Sequence, residues 1–207
     1  MVEETLTLLT FDQFLQQYPD YGGKYELRQG KMVEVRPIGA HEKVAALIAR
    51  KLDFEIERLS LPYFIPRSCL VKPKMEGEGY LPDIIVLDEK AVEIDPYWHK
   101  YSTISLGSSA KVVIEVVSTN WQDDYLTKLA EYEKLGIPEY WIVDYRALGG
   151  IRYIGSPKIP TVWIYELIES EYREGKIFRD NDLIQSSTFP ELQLTAQNIF
   201  RVGNSNR

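Results

Sequence analysis

Residues 111–145 read KVVIEVVSTNWQDDYLTKLAEYEKLGIPEYWIVDY, and this stretch decides the fold. Its first segment, 112–117, is apolar and β-branched except at Glu115, which is typical of a central strand buried on both faces. Residues 123–135 have the spacing of an amphipathic helix, which a glycine and a proline then end. Residues 139–143 are predicted to form a second buried strand. The order strand–helix–strand predicts a crossover between two parallel strands.

The rest of the chain predicts an α/β fold of the mixed α+β type. It consists of a mixed sheet with flanking helices and extra antiparallel edge strands. Helices are expected at 11–17, with Thr10 as N-cap, and at 41–59, which carries a long apolar stripe. The predicted strands are 24–28, 31–35, 63–65, 68–72, 83–87, 162–167, 172–178 and 183–187. Residues 94–109 predict a loop. We predict one domain over 1–207, with its core at about 11–200 and a disordered tail at 201–207.

The composition is that of an ordinary globular protein, with 207 residues, 44% hydrophobic and 27% charged. No apolar run approaches the ~20 residues that span a bilayer, and the acidic N-terminus predicts no signal peptide. A single cysteine, Cys69, predicts a buried inert thiol and a cytoplasmic location. The net charge of −7 argues against a protein that binds nucleic acid through a basic tail, although a nuclease site itself needs carboxylates.

Glu115 is the strongest anomaly in the sequence, because an unpaired charge inside an apolar strand is costly. It either pairs with a buried Lys or Arg, lies at a strand end, or serves as a metal ligand or general base. Asp83 directly follows a proline, which alone indicates only a turn, but it begins another strongly apolar β-branched run. Two acids on neighbouring strands could hold one Mg²⁺, with the backbone carbonyl of Val116 as a further ligand.

Lys128 lies on the helix that follows the Glu115 strand and could return its ammonium group to the end of that strand. There it would stabilise the charge of a phosphate undergoing attack. An alternative is an ordinary helix-surface pair with Asp124, worth ~0.3–0.5 kcal/mol. Glu26 is a further candidate acid, although a solvated strand face would also explain it. His41 and His99 have no partner at metal-ligand spacing and are expected to be non-catalytic.

The same residues resemble the PD-(D/E)XK, or restriction-endonuclease-like, nuclease superfamily, and more closely its Uma-type family, which is expanded in cyanobacteria. The resemblance spans about 11–200 and rests on YELRQGKMVEV at 25–35, LPDIIVLD at 81–88, the stretch from 114 to 145, and TFPELQLTAQNIF at 188–200. It implies an αβββαβ core in which Asp83 and Glu115 bind Mg²⁺ or a similar ion.

The sequence departs from the superfamily's E-x-K pattern, because Val117 stands where the lysine of that pattern would be. In the Uma-type group the lysine looks as if it has moved to the following helix, which corresponds here to Lys128. Glu26 matches a recurring acid of the family's N-terminal hairpin, so the resemblance implies an auxiliary role for it.

Together these features predict a Mg²⁺- or Mn²⁺-dependent endonuclease that hydrolyses DNA. In this hypothesis Asp83, Glu115 and the carbonyl of Val116 hold the metal, Lys128 assists catalysis, and Glu26 and Asp124 are auxiliary. Cleavage of two strands favours a homodimer. An inactive nucleic-acid- or protein-binding module on the same fold is the main alternative, and RNA is an alternative substrate.

Overall fold

The computed structural model describes residues 8–20 and 22–204, and every structural statement below concerns these residues. The predicted absence of a signal peptide concerns mainly residues 1–7, which lie outside the described residues. No helix in the described ranges is long and apolar enough to cross a membrane.

A seven-stranded mixed sheet forms the centre of the described structure. Its strands are β3 (Tyr63–Phe64), β5 (Ile84–Asp88), β7 (Ala110–Val116), β8 (Glu139–Asp144), β9 (Thr161–Ile168), β10 (Glu171–Tyr172) and β11 (Lys176–Phe178). The spatial order is β10-β9-β8-β7-β5-β3, and β11 also pairs with β9. Only β7 and β8 pair in parallel, as predicted from the crossover; the remaining pairs of this sheet are antiparallel.

Two small sheets flank the main one. The hairpin β1 (Tyr25–Arg28) and β2 (Lys31–Glu34) turns at Gln29 and Gly30, which both have positive φ, and glycine tolerates that conformation without cost. Strands β4 (Leu70–Val71) and β6 (Thr103–Ile104) pair in parallel beside it.

Helices cover the described structure at both ends and on both faces of the sheet. The α-helices are α1 (Phe11–Gln16), α2 (Gly39–Leu59), α3 (Glu89–Val92), α4 (Trp98–Tyr101), α5 (Leu129–Leu135), α6 (Ile151–Ile154) and α7 (Ala196–Gly203). The side chain of Thr10 caps α1, as the sequence predicts, because its oxygen accepts a hydrogen bond from the amide of Gln13.

Side-chain alternation along β7 explains why a carboxylate can be buried in it. Val112, Ile114 and Val116 pack in the same apolar cluster as α2 and α7. Val113 and Val117 pack with the α5 side of the sheet. Since successive residues of a strand point to opposite faces, Glu115 lies on the α5 side, facing the helix that follows β7.

The helix after β7 begins with a π-helical turn at Asp123–Lys128 and continues as α5. The sequence predicted one regular helix over 123–135, and the periodicity of apolar residues does not distinguish a π turn from an α turn. Such turns are rare and occur frequently at functional sites. This one contains both Asp124 and Lys128.

Two predictions about irregular segments are wrong. Residues 94–109 are not a simple loop: they contain α4, β6 and a 3₁₀ turn at Gly107–Ser109, organised by the buried carboxylate of Asp95. Residues 183–187 do not form a strand, because only Leu183 makes a bridge, to Thr195. Their alternating pattern instead buries Ile184 and Ser186 in a turn-rich segment.

The predicted tail at 201–207 also differs from the structure. Helix α7 continues to Gly203, because Ile199 and Phe200 are buried and hold its last turn on the core. The side chain of Asn204 then donates hydrogen bonds to the carbonyls of Tyr145 and Phe200. Residues 205–207 lie outside the described residues.

Cys69 is buried, as the sequence predicts. Desolvation raises the pKa of its thiol to about 12, so the thiolate form is scarce at neutral pH. The inert character expected for this cysteine therefore has a physical cause.

Candidate active site

Asp83 and Glu115 meet where β5 and β7 lie side by side. The antiparallel register pairs Ile84 with Ile114, so that Asp83, directly before β5, lies opposite Glu115. The amide of Val116 donates a hydrogen bond of 2.7 Å to Asp83 Oδ2. The two acids that the sequence selected from separate segments are therefore fixed to one another through the backbone of β7.

Lys128 brings the helix after β7 into the same cluster. Its Nζ lies 2.9 Å from Glu115 Oε1, 3.5 Å from Glu26 Oε1 and 3.5 Å from Asp124 Oδ1. The lysine is only 5% exposed. The predicted contact with Asp124 exists, but it is not a surface pair, since both side chains are buried and Glu115 is the nearer partner.

The β1–β2 hairpin supplies Glu26 and Arg28 from a third segment. Glu26 Oε2 accepts two hydrogen bonds from the Arg28 guanidinium, and Glu26 Oε1 accepts one from the amide of Leu81. Arg28 also lies 3.5 Å from Asp123 Oδ2. Glu26 is thus buried against the lysine and does not lie on a solvated strand face, the alternative that the sequence left open.

His41, near the start of α2, joins the cluster from the other side of the sheet. Its Nε2 lies 2.8 Å from the carbonyl oxygen of Val116 and 3.2 Å from Asp83 Oδ2. Burial acts to lower the pKa of His41, but the hydrogen bond and charge of Asp83 outweigh it and raise that pKa. The sequence predicted His41 to be non-catalytic, because no partner stands at metal-ligand spacing from it; its partners lie on β7 and directly before β5. By contrast, His99 is exposed and pairs with Glu93 away from the acids.

Burial and mutual repulsion make the carboxyl groups of Glu115 and Asp124 unusually weak acids. Desolvation raises the pKa of Glu115 to about 8, with Asp83, Asp124 and Glu26 adding repulsion that Lys128 only partly offsets. Desolvation likewise raises the pKa of Asp124 to about 6. The neighbouring carboxylates raise the pKa of Lys128 despite its burial, so the amine remains an ammonium ion.

The phenol of Tyr132 on α5 positions Glu115 by donating a hydrogen bond of 2.7 Å to Oε1. We expect Tyr132→Phe to lower the free energy of unfolding by about 1 kcal/mol, because Glu115 Oε1 loses one hydrogen-bond donor and keeps Lys128 as its other partner. Urea denaturation measures this change. Tyr165→Phe is the matched control, since its hydroxyl makes no hydrogen bond within 8–20 and 22–204, and it should cost under about 0.5 kcal/mol. Equal losses in both variants would contradict the positioning role.

The chemistry of the cluster fits a hard divalent cation. Four carboxylates (Glu26, Asp83, Glu115 and Asp124) face the two permanent cations Lys128 and Arg28. Within the described ranges, the hydrogen bonds to the central pair go to Asp83 Oδ2 and Glu115 Oε1, so the second oxygen of each accepts none. Carboxyl groups that hold protons near neutral pH can exchange them for a metal ion.

The donor set is small. Among the described residues, no three His, Cys, Asp or Glu side chains are grouped so that they could hold a metal ion by themselves. Mg²⁺ keeps several waters and takes one or two carboxylates from a protein, so the acids that would hold it here are Asp83 and Glu115. The carbonyl of Val116 was predicted as a further ligand. Its oxygen already lies at hydrogen-bond distance from His41 Nε2, so a metal bound there would share that oxygen with His41.

The cluster forms the floor of a cleft of about 440 Å³. All of the residues selected from the sequence line it: Glu26, Asp83, Glu115, Val116, Asp124 and Lys128. The structure adds Arg28, Asp123 and His41 to them. The sequence did not single out the first two, and it predicted His41 to be non-catalytic.

The fold and this acid–lysine cluster define a protein of the restriction-endonuclease-like class. Its central elements run α2, β3, β5, β7, α5 and β8, which is the αβββαβ order that the sequence resemblance implied. Residues 11–197 match the family described as "Uma2: Putative restriction endonuclease", and the chain belongs to that family.

A solved structure supports the same fold. The chain resembles the crystal structure of "a putative nuclease belonging to DUF820" from Anabaena variabilis ATCC 29413, with a TM-score of 0.68 and 18% sequence identity. The match covers 94% of this chain and 99% of that one. No curated protein matches this chain.

Proposed function

We propose that this protein is a metal-dependent endonuclease that hydrolyses DNA phosphodiester bonds. One observation supports this function above the others: Lys128 Nζ lies 2.9 Å from Glu115 Oε1, inside a buried acid cluster. The lysine that the superfamily pattern places on the strand is missing at Val117, and the following helix delivers an ammonium group to the same acid. An acid pair with an adjacent lysine is the minimum equipment for metal-assisted phosphodiester hydrolysis.

Asp83 and Glu115 would hold Mg²⁺ or Mn²⁺ through the oxygens that their hydrogen bonds leave available. A bound divalent cation supplies a water of lowered pKa and neutralises phosphate charge. The Val116 amide and His41 hold Asp83 in place, and Tyr132 holds Glu115. Their role is pre-organisation: the carboxylates need not reorient when a substrate arrives.

Lys128 would stabilise the negative charge that develops on the attacked phosphate. Its raised pKa keeps it cationic, and its burial strengthens its field in the cleft. Asp124 and Glu26 hold the ammonium group between them, with Glu26 anchored in turn by Arg28. In this proposal the two auxiliary acids position the ammonium group.

Plasmid cleavage tests the function directly. We expect the wild-type protein to nick supercoiled DNA with Mg²⁺ or Mn²⁺, to lose this activity in EDTA, and to bind the metal in calorimetry. Cutting both strands would accompany a homodimer, which light scattering on the same sample detects, because isologous pairing presents two equivalent sites. A labelled RNA in a parallel reaction decides between the two nucleic acids.

A binding module without catalysis is the second candidate, and one observation favours it. Lys128 and Arg28 already compensate much of the acid cluster without any metal. If the wild type neither binds metal nor cleaves DNA or RNA, the enzyme proposal is contradicted, and this reading replaces it.

A further inference from the structure

Six cationic side chains line the cleft above the acid cluster: Lys24, Arg28, Arg36, Arg67, Lys128 and Arg146. Four of them have a carboxylate partner that reduces their attraction for an external anion. Lys24 pairs with Glu42. Arg36 pairs with Glu34. Arg28 and Lys128 belong to the buried cluster.

Arg67 and Arg146 differ from these four. Both are exposed, and neither guanidinium group makes an ion pair or a hydrogen bond within the described part of the chain. A protein of net charge −7 has carboxylates available for surface pairing, yet these two arginines at its acidic cleft have none. Guanidinium groups are suited to phosphate because they donate two parallel hydrogen bonds.

Both arginines project from ordered segments. Arg67 lies just before β4, and the carbonyl of the next residue, Ser68, accepts a hydrogen bond from Ser102. Arg146 follows β8, in a turn where Asp144 accepts hydrogen bonds from the amides of Leu148 and Gly149. Two separate parts of the chain therefore present one arginine each to the same cleft, and neither guanidinium group has a partner among the described residues.

We infer that Arg67 and Arg146 bind backbone phosphates of DNA that lies in the cleft over the acid cluster. The inference rests on the proposed function for the identity of its ligand, but it does not require catalysis. The acidic floor repels a polyanion, so the uncompensated cations at the cleft must supply the attraction. Each cation that neutralises phosphate charge adds its own counterion release.

Fluorescence anisotropy with a short labelled DNA duplex tests this inference. The measurement is made in EDTA, which removes the divalent metal, so that the DNA is not cleaved while binding is measured. The variants are Arg67→Ala, Arg146→Ala and both together, with Arg201→Ala as control. Arg201 is exposed on α7, lies outside the cleft and loses the same charge on substitution. Between about 50 and 200 mM salt, each cleft variant should reduce the slope of log K against log salt by about 0.9, and the double variant by about twice that.

Each single cleft variant should also weaken binding at low salt on the order of tenfold, whereas the Arg201 control should change it less than about twofold. If the cleft variants behave like the control, or if the wild type does not bind the duplex, the inference is overturned. A wild type that binds through both arginines but fails to cleave with Mg²⁺ or Mn²⁺ would support the inference while contradicting the endonuclease. The exposed positions leave the fold intact, which unchanged thermal melts would verify.

Discussion

Glu115→Gln is expected to fold normally and to cleave plasmid DNA about 10²–10³-fold more slowly than the wild type. Glutamine has the same shape and can still accept the hydrogen bond from Tyr132. It removes the charge with which Glu115 would hold the metal. Lys128 retains Asp124 and Glu26 as partners, so the free energy of unfolding should change by no more than about 1 kcal/mol.

Glu139→Gln is the matched control for this experiment, since Glu139 is also a fully buried carboxylate in a strand of the same sheet. Its oxygens accept hydrogen bonds from Trp141, Ser187 and Thr188, and it does not line the cleft. We expect this variant to lose about 1–3 kcal/mol of stability but to cleave normally per folded molecule. Calorimetry should show metal binding lost only in the Glu115 variant. Normal cleavage by Glu115→Gln would remove Glu115 from the mechanism.

The sequence pointed to the residues of the acid–lysine cluster because its anomalies were of one kind, charged groups where burial was expected. Glu115 interrupts an apolar strand, and Asp83 begins another. The strand assignments placed each acid in or directly before a strand. The structure adds that these two strands are antiparallel neighbours, in a register that sets the acids opposite each other. Lys128 followed from the connection, because the helix after a crossover strand returns along the same face of the sheet.

Other contributions could not be found in this way. His41 reaches Asp83 from α2, and Tyr132 reaches Glu115 from α5, through packing between layers that periodicity does not specify. In the sequence, Tyr132 looks like any other aromatic residue on the apolar face of a helix. Arg28 lies in a hairpin, where an arginine is ordinarily expected to be exposed, so its contact with Glu26 was not predicted. Contacts between elements distant in sequence depend on register and helix orientation, which a local pattern does not fix.

The predictions for two irregular segments were wrong for a related reason. The alternation in 183–187 predicts a strand, but a strand also needs a neighbour with a matching ladder, and only a single bridge forms there. In 94–109 the high content of turn-forming residues predicts a loop. One buried carboxylate, Asp95, gathers hydrogen bonds from Ser105, Leu106 and Ser109 and organises that segment instead. Side-chain-to-backbone bonds of this kind are not visible in hydrophobic patterns.

The largest effect on stability is expected from Lys128→Met. Methionine preserves the unbranched shape of the side chain but removes the cation that lies within 3.5 Å of Glu115, Asp124 and Glu26. Breaking a buried ion pair from one side leaves uncompensated charge, so the free energy of unfolding should fall by about 3–5 kcal/mol, and cleavage should be lost. Urea denaturation measures the first effect. Lys176→Met, which removes an exposed lysine 3.9 Å from Glu166, should cost no more than about 1 kcal/mol.

The double variant Glu115→Gln with Lys128→Met separates the structural role of the lysine from its catalytic role. Removing the nearest buried carboxylate together with its cation relieves the repulsion that the single lysine variant suffers, so at least about 1 kcal/mol of stability should return. Cleavage should not return, because neither the metal-binding charge of Glu115 nor the ammonium group of Lys128 is present. If the double variant were no more stable than Lys128→Met, Glu115 would not be the dominant partner of Lys128 despite the 2.9 Å contact. Asp124 or Glu26 would then be the dominant partner. If Lys128→Met were as stable as the wild type, the acid cluster would hold protons in place of the cation, and the lysine would be retained for catalysis alone.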